Sequence, residues 1–251
     1  MNRFSKWIPY GVGVVLLGVL LISVACGTSS TSSSRTTQLR VVNVAPSAPT
    51  LDLLIDSKTV FSSMAYGVPT TFATVTAINH DFKLFDPAAG TDLLDNPTEP
   101  FTAGTTYTYL IIGAQSSATG IKGNKLTDDH TLADKGNFKL RVVNGSPTAG
   151  AVDVYLVTPG TTTVTTITGI ASNTASAYQS LASGSYQIYI SQGNHNTCLD
   201  PLPASCLVHI DGLNGTAIPG FQAGQNRTLI MVNQIPGGGT YTTLPMLADL
   251  N

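Results

Sequence analysis

Charge is what this chain has least of. Charged residues make up 10% of its 251 residues, against about 25% in ordinary soluble domains. The net charge is −2, and losing Arg3 and Lys6 with a cleaved leader would take it to −4. No basic patch exists, which excludes electrostatic binding of nucleic acid. Glutamate is almost missing too: Glu99 stands alone beside thirteen aspartates. Aspartate favours turns, so most of these carboxylates read as loop punctuation. The single tryptophan, Trp7, lies in the leader, which weakens a sugar-binding reading built on aromatic platforms. Tyr107, Tyr109, Tyr155, Tyr178, Tyr186, Tyr189 and Tyr241 remain, mostly in runs where cross-strand packing is their default use. No window carries a sustained helical period. Gly-x-Ser-x-Gly, His-Glu-x-x-His and a Walker-type phosphate loop are all absent, so the common hydrolase, zinc-protease and nucleotide sites have no support, and no cofactor is called for. What is abundant instead is Thr, Ser, Gly and Val, a mixture suited to strands and turns.

Residues 1–37 read as a leader and a tether. Arg3 and Lys6 precede an apolar run from Ile8 to Ala25 that ends Ile22-Ser23-Val24-Ala25-Cys26, the layout of a secretory signal. The ending resembles a bacterial lipoprotein signal, in which Cys26 becomes the acylated first residue and residues 1–25 are removed; Ser23 stands where the commonest form has Leu. An uncleaved anchor or plain signal peptide is the alternative, though the run is short for a span and holds Pro9. Residues 26–37, rich in Ser and Thr, form a flexible tether. Gly27 after the cysteine implies, by the same resemblance, an outer-membrane or cell-surface location, with the membrane reached through the N-terminal lipid.

The remainder is a duplication. Leu39 to Ile55 aligns without a gap on Leu140 to Leu156, with eight of seventeen positions identical. Phe101-Thr102-Ala103-Gly104 and the strand after it match Phe221-Gln222-Ala223-Gly224, and Leu126 to Asp128 corresponds loosely to Leu247 to Asp249. Self-similarity of this kind fixes the number of units: a repeat at 38–131, a linker at 132–137 and a second repeat at 138–251. Strand-like runs at Leu39–Val44, Leu51–Ile55, Thr59–Met64, Thr71–Thr76, Asp81–Phe85 and Thr105–Ile112, bounded by turn residues, predict an all-β fold. Asp52 and Asp153 interrupt apolar runs, and are expected to brace the preceding Pro turns through backbone N–H groups or to face solvent. His80 reads as a turn residue between Asn79 and Asp81.

The Leu-Arg-Val-Val-Asn…Pro-x-Ala…Asp pattern, followed by the Ala-Gly-x-x-[Tyr/Arg]-Thr strand, resembles a widespread bacterial family known only as a domain of unknown function. The resemblance implies tandem Ig-like or transthyretin-like antiparallel β-sandwiches on secreted or surface-anchored proteins, and no reaction. Where that family commonly has His, this chain has Asn43 and Asn144, so a metal or pH role at that position is not carried over.

The second repeat is nineteen residues longer between its two anchors. Much of the excess falls near Ser191–His209, read as a loop without an equivalent in the first repeat. Cys198 and Cys206 sit there, and in an exported protein they most simply form a disulfide, worth about 2–3 kcal/mol for so short a loop. A second reading takes His195, Cys198, Cys206 and His209 as four zinc-competent ligands, and free thiols are the third. Asp128, Asp129 and Asp134, with Asn137, are candidate calcium ligands between the repeats; the plainer alternative is a solvated polar linker. The expected function is a non-catalytic envelope lipoprotein, a binding or structural module for an unknown protein or polysaccharide ligand. An envelope hydrolase and a self-assembling subunit are the alternatives.

Overall fold

A computed structural model describes residues 35–46, 48–114, 120–192, 206–210, 220–233, 241–243 and 247–250. The first repeat holds β1 (Thr36–Asn43), β2 (Leu51–Ile55), β3 (Lys58–Met64), β4 (Ala73–Thr76), β5 (Asn79–Asp86), β6 (Thr91–Pro100), β7 (Thr106–Gly113) and β8 (Ile121–Asp128). The second holds β9 (Asn137–Asn144), β10 (Val152–Val157), β11 (Val164–Ile170), β12 (Thr174–Ala175), β13 (Gln179–Ala182), β14 (Gln187–Gln192), β15 (Cys206–Ile210), β16 (Asn226–Asn233), β17 (Tyr241–Thr243) and β18 (Leu247–Leu250). The fold is all-β, as its Thr- and Val-rich composition predicts. Strand order repeats as well as sequence. β4-β1-β7-β8 and β3-β2-β5-β6 in the first repeat are matched by β12-β9-β16-β17 and β11-β10-β14-β15 in the second, with β13 and β18 extending the edges of the former sheet.

One pairing in each repeat departs from the antiparallel expectation: β1 runs parallel to β7, and β9 to β16. Both partners start from the same end, because the chain visits the other sheet between them. The start of the first repeat also moves. β1 begins at Thr36, and Ala77 N donates to Arg35 O at 2.8 Å, so the last two residues assigned to the tether belong to the sheet.

Period-two alternation explains the layers. On β1, Leu39 and Val41 join Leu51, Leu53, Phe82 and Leu84 of the second sheet in one core. The other face of the same strand carries Arg40 and Val42. β7 divides likewise, Tyr107, Tyr109 and Ile111 going to that core. Phe138, Leu140 and Val142 start an equivalent core in the second repeat, where Phe138 and Phe221 stack with centroids 4.1 Å apart. A third cluster takes Val42, Val44, Leu110 and Ile112 from the first repeat and Val143, Ile230, Val232 and Leu247 from the second. The two repeats are therefore packed sheet against sheet, and everything described falls in one compact unit. β1, β7, β9 and β16 are buried on both faces, which is why they read as near-continuous apolar runs. The repeats approach closely at Gly145, where an added Cβ would lie 3.2 Å from Val44 Cγ2 of the first repeat and 3.1 Å from Met231 O of its own.

Candidate functional site

Four charged side chains lie between the repeats. Arg40 and Arg141 occupy equivalent places on β1 and β9, on the face turned to the other repeat; Asp128 ends β8 and Asp249 lies on β18. Both carboxylates are 0% exposed and the two arginine side chains 5% and 4%. Their bonding is two-fold. Arg40 Nε donates to Thr108 Oγ1 of its own repeat (2.8 Å) and Nη1 to Ala248 O of the other (2.9 Å), while Nη2 meets Asp249 Oδ1. Arg141 Nε donates to its own Thr228 Oγ1 (2.9 Å), Nη1 to Thr127 O (3.0 Å) and Nη2 to Asp128 Oδ1 (2.7 Å). Thr108 and Thr228 pass a hydroxyl hydrogen on to Asp128 (2.7 Å) and Asp249 (2.5 Å). Each guanidinium also lies over a ring, Phe72 at 4.9 Å and Tyr178 at 4.7 Å, as arginine's flat weakly hydrated head favours. Burial, and then the charge of Asp249, push the Asp128 carboxyl above its usual range against the pull of the two arginines.

Over this cluster opens a cleft of about 490 Å³ lined by both repeats. Thr105, Thr106, Thr127, Asp129, His130 and Tyr178 supply hydroxyls, a carboxylate, an imidazole and one ring. Asp128 lies in its wall, but its carboxylate is spent on Thr108 and Arg141. The accessible lining of the cleft is more apolar than polar, and the Asp129 carboxylate and the Tyr178 hydroxyl are already bonded to Lys139 and to Asp249.

The linker carboxylates do not act together. Asp128 is a buried strand residue and not part of a solvated linker, because Arg141 neutralises it. Asp129 turns to Lys139 Nζ (2.7 Å) and Thr131; burial opposes its ionisation, but Lys139 and Thr131 hold it below the usual range. Asp134 contributes its carbonyl to Asn137 N. Among the described residues no three His, Cys, Asp or Glu side chains converge on a metal position.

Asp52 and Asp153 do accept backbone N–H bonds, though not from the preceding turns. Asp52 Oδ1 takes Ser63 N (2.8 Å) and Asp153 Oδ1 takes Gly169 N (2.6 Å). Both donors sit at positive φ, 53° and 71°, where the register with the neighbouring strand shifts. The aspartates therefore pin a bulge in the following strand. The turns are braced instead by Asn43 and Asn144. Asn144 Nδ2 donates to Gly150 O (2.8 Å) and its Oδ1 accepts from Ser146 N (3.2 Å); Asn43 Oδ1 accepts from Ala45 N (3.2 Å).

His80 is buried near the start of β5 and is not a turn residue: its Nδ1 meets Asp56 Oδ2 at 2.6 Å and Nε2 meets Thr76 O at 2.9 Å. Cys26, His195 and Cys198 lie outside the described residues. Cys206 and His209 fall on β15, which pairs with β14, so this end of the supposed loop is the counterpart of β6. The connection between β14 and β15, residues 193–205, is thirteen residues long against four at 87–90 in the first repeat, and it lies outside the described residues.

The arginines are the site residues missed by sequence reasoning. Their signal was present: a cation inside an apolar run, in both copies, with an aspartate at matching places near the end of each.

These features define an all-β protein of two matching halves joined through a sealed ionic cluster. Residues 37–155 match the family described as "Domain of unknown function (DUF4397)", a stretch that takes in Arg40, Asp128 and Arg141 and stops before Asp249. No curated protein matches the chain. Among solved structures, a leucine-rich repeat protein from Bacteroides thetaiotaomicron is similar at 14% identity over 86% of this chain and 25% of its own, with a TM-score of 0.16. The chain thus spans about a quarter of that protein, and a score so low carries no argument.

Proposed function

We propose that this chain is a lipid-anchored protein of the bacterial envelope whose two β-sandwich repeats form one rigid, non-catalytic module that binds a protein or polysaccharide ligand. The observation that carries the reading is where the charge goes. In a chain with so few charged groups, two Arg–Asp pairs are sealed between the repeats with no carboxylate exposure, an arrangement that fixes geometry and leaves these groups unable to reach a substrate. The cleft above them is the place for the ligand. Titration of the membrane-extracted full chain with envelope polysaccharides and peptides, alongside a broad hydrolase screen, tests it. Binding that is weakened by Thr127→Lys, at an exposed cleft position, is the expected result. Turnover abolished by one Asp or His substitution would overturn it. Cys26→Ala should release the protein from the membrane fraction, and protease treatment of intact cells separates surface from periplasmic exposure.

One observation favours a hydrolase. Asp56, His80 and the Thr76 hydroxyl follow one another at 2.6 and 3.1 Å, the order of an acid–base–nucleophile triad. The same Nε2 is closer, at 2.9 Å, to the Thr76 carbonyl oxygen. A carbonyl only accepts, so this nitrogen carries a hydrogen and is not free to take one from the hydroxyl. The trio is better read as a structural clamp.

A further inference from the structure

Glu99, the only glutamate of the chain, is used neither by the joint nor by the cleft. It lies on β6, the edge of one sheet of the first repeat, which runs beside β8, the edge of the other. Lys125 projects from β8, and its Nζ is 2.6 Å from Glu99 Oε1. Asn96, three residues before Glu99, places its Nδ2 2.8 Å from the other oxygen, Oε2. One carboxylate thus touches an amine and a carboxamide from two strands, one on each oxygen. The Lys125 and Glu99 side chains are 17% and 12% exposed. The amine lies over the rings of Phe101 and Tyr107, at 4.7 and 5.1 Å, and also donates to Pro100 O. Thr98 N points at Asn96 Oδ1 from 3.4 Å, so the carboxamide oxygen has a backbone donor on the side where negative charge would develop.

We propose that Lys125 and Asn96 condense into an intramolecular isopeptide bond, with Glu99 as the catalytic proton carrier, so that the two sheet edges of the first repeat become covalently joined. Glu99 Oε1 takes a proton from the Lys125 ammonium, and the freed lone pair attacks Asn96 Cγ. The protonated Glu99 carboxyl then turns about its Cγ–Cδ bond, and the C–Nδ2 bond breaks as Oε1 delivers that proton to Nδ2. The ammonia released takes the second proton shed by Nζ and leaves as ammonium. One amide bond forms and one breaks, with no redox partner and no cofactor. Holding the groups on one carboxylate replaces a bimolecular aminolysis by an intramolecular one, and escape of ammonium makes it irreversible. The longer glutamate side chain fits this task, since its carboxylate has to reach from one sheet edge to the other.

The test is peptide mapping by mass spectrometry of the full chain, expressed with its own leader and shown to be folded by circular dichroism. The expected result is a branched peptide containing both Asn96 and Lys125 and lighter than the two unlinked peptides by one ammonia. It should be absent from Glu99→Gln and from Lys125→Arg. Recovery of the two segments as separate unmodified peptides from the folded wild-type chain would mean an ion pair only and overturn the proposal. This reading needs no variant to fold. A branched peptide persisting in Glu99→Gln would overturn the role of Glu99.

Discussion

Replacing Arg40 by Met removes one cation from a buried cluster of two cations and two anions. Asp249 then keeps Tyr178 Oη (2.8 Å), Thr228 Oγ1 (2.5 Å) and a distant Arg141 Nη2 (3.9 Å). Thr108 loses its donor and the Ala248 carbonyl its partner. Leaving a buried charge uncompensated costs about 3–5 kcal/mol, a large share of the roughly 5–15 kcal/mol that holds a domain together. The damage falls on the joint and spares the two separate cores, so the urea transition followed by far-ultraviolet circular dichroism should move to lower denaturant. Proteolysis within residues 129–136 should speed up in parallel. The pairing makes a sharper claim. Arg40→Met combined with Asp249→Leu removes one cation and one anion and leaves Asp128 on Arg141 at 2.7 Å. This double variant should be more stable than Arg40→Met alone, giving a coupling energy of about 1–3 kcal/mol. Strictly additive single and double variants, or an Arg40→Met cost below about 1 kcal/mol, would refute the ionic joint.

Other consequences are more local. Gly145→Val installs the residue that the first repeat has at Val44, and its Cβ would meet Met231 O at 3.1 Å; thermal melts should show about 1–3 kcal/mol of overpacking cost. Gly123 lies under Tyr109, whose hydroxyl oxygen would be 1.7 Å from an added Cβ. Gly123→Ala should therefore displace that ring and alter the near-ultraviolet tyrosine signal, and an unchanged spectrum and melt would count against the packing. Asp56 is held below its ordinary range first by the Asp81 N–H and then by His80, so its unfolded form binds more protons. Its contribution is complete above about pH 4 and is lost as pH falls through the lowered folded value. Asp128, raised by burial and by Asp249, has the opposite sign: its contribution is complete below the unfolded value and lost as pH rises through the folded one. Asp56→Asn should flatten the acid limb of a stability–pH curve, and an unaltered limb would remove Asp56 from it.

Repetition was the most legible part of the sequence. It marked β1 and β9, and it tied the end of β8 to β18, because the same local alternation had to be kept twice. β6 was not legible. Its Asp92, Asp95, Pro97 and Glu99 argue against a strand, yet as a sheet edge it pairs on one side only and tolerates both proline and charge. His80 was misplaced for a related reason: Asn79-His80-Asp81 looks like a turn, and only the tertiary partner Asp56 shows why a histidine is buried there. The bracing aspartates were right in chemistry and wrong in target, since the bulges at Ser63 and Gly169 arise from pairing with β2 and β10. The arginines were visible as cations in apolar runs. Their partners lie in the opposite repeat, a relation that no local pattern carries.

That cross-bonding bears on whether half of the molecule can stand alone. Each arginine uses Nε on its own threonine and Nη2 on the carboxylate of the other repeat. A first repeat cut off after residue 131 would expose Val42, Val44, Leu110 and Ile112 beside an Asp128 that has lost Arg141. A second copy of the same repeat offers an equivalent arginine and an equivalent carboxylate, so the two-fold pattern predicts a homodimer. One contact forbids it. Val44 already lies 3.2 Å from where a Cβ on Gly145 would be, and two copies of the first repeat would bring Val44 against Val44. A 35–131 fragment should therefore sediment mainly as a monomer, and Val44→Gly should shift it toward dimer, with the dimer weakening when Arg40 is also replaced by Met. Equal dimerisation with and without Val44→Gly would show that the sheet-to-sheet contact of the intact chain is not governed by close approach at Gly145.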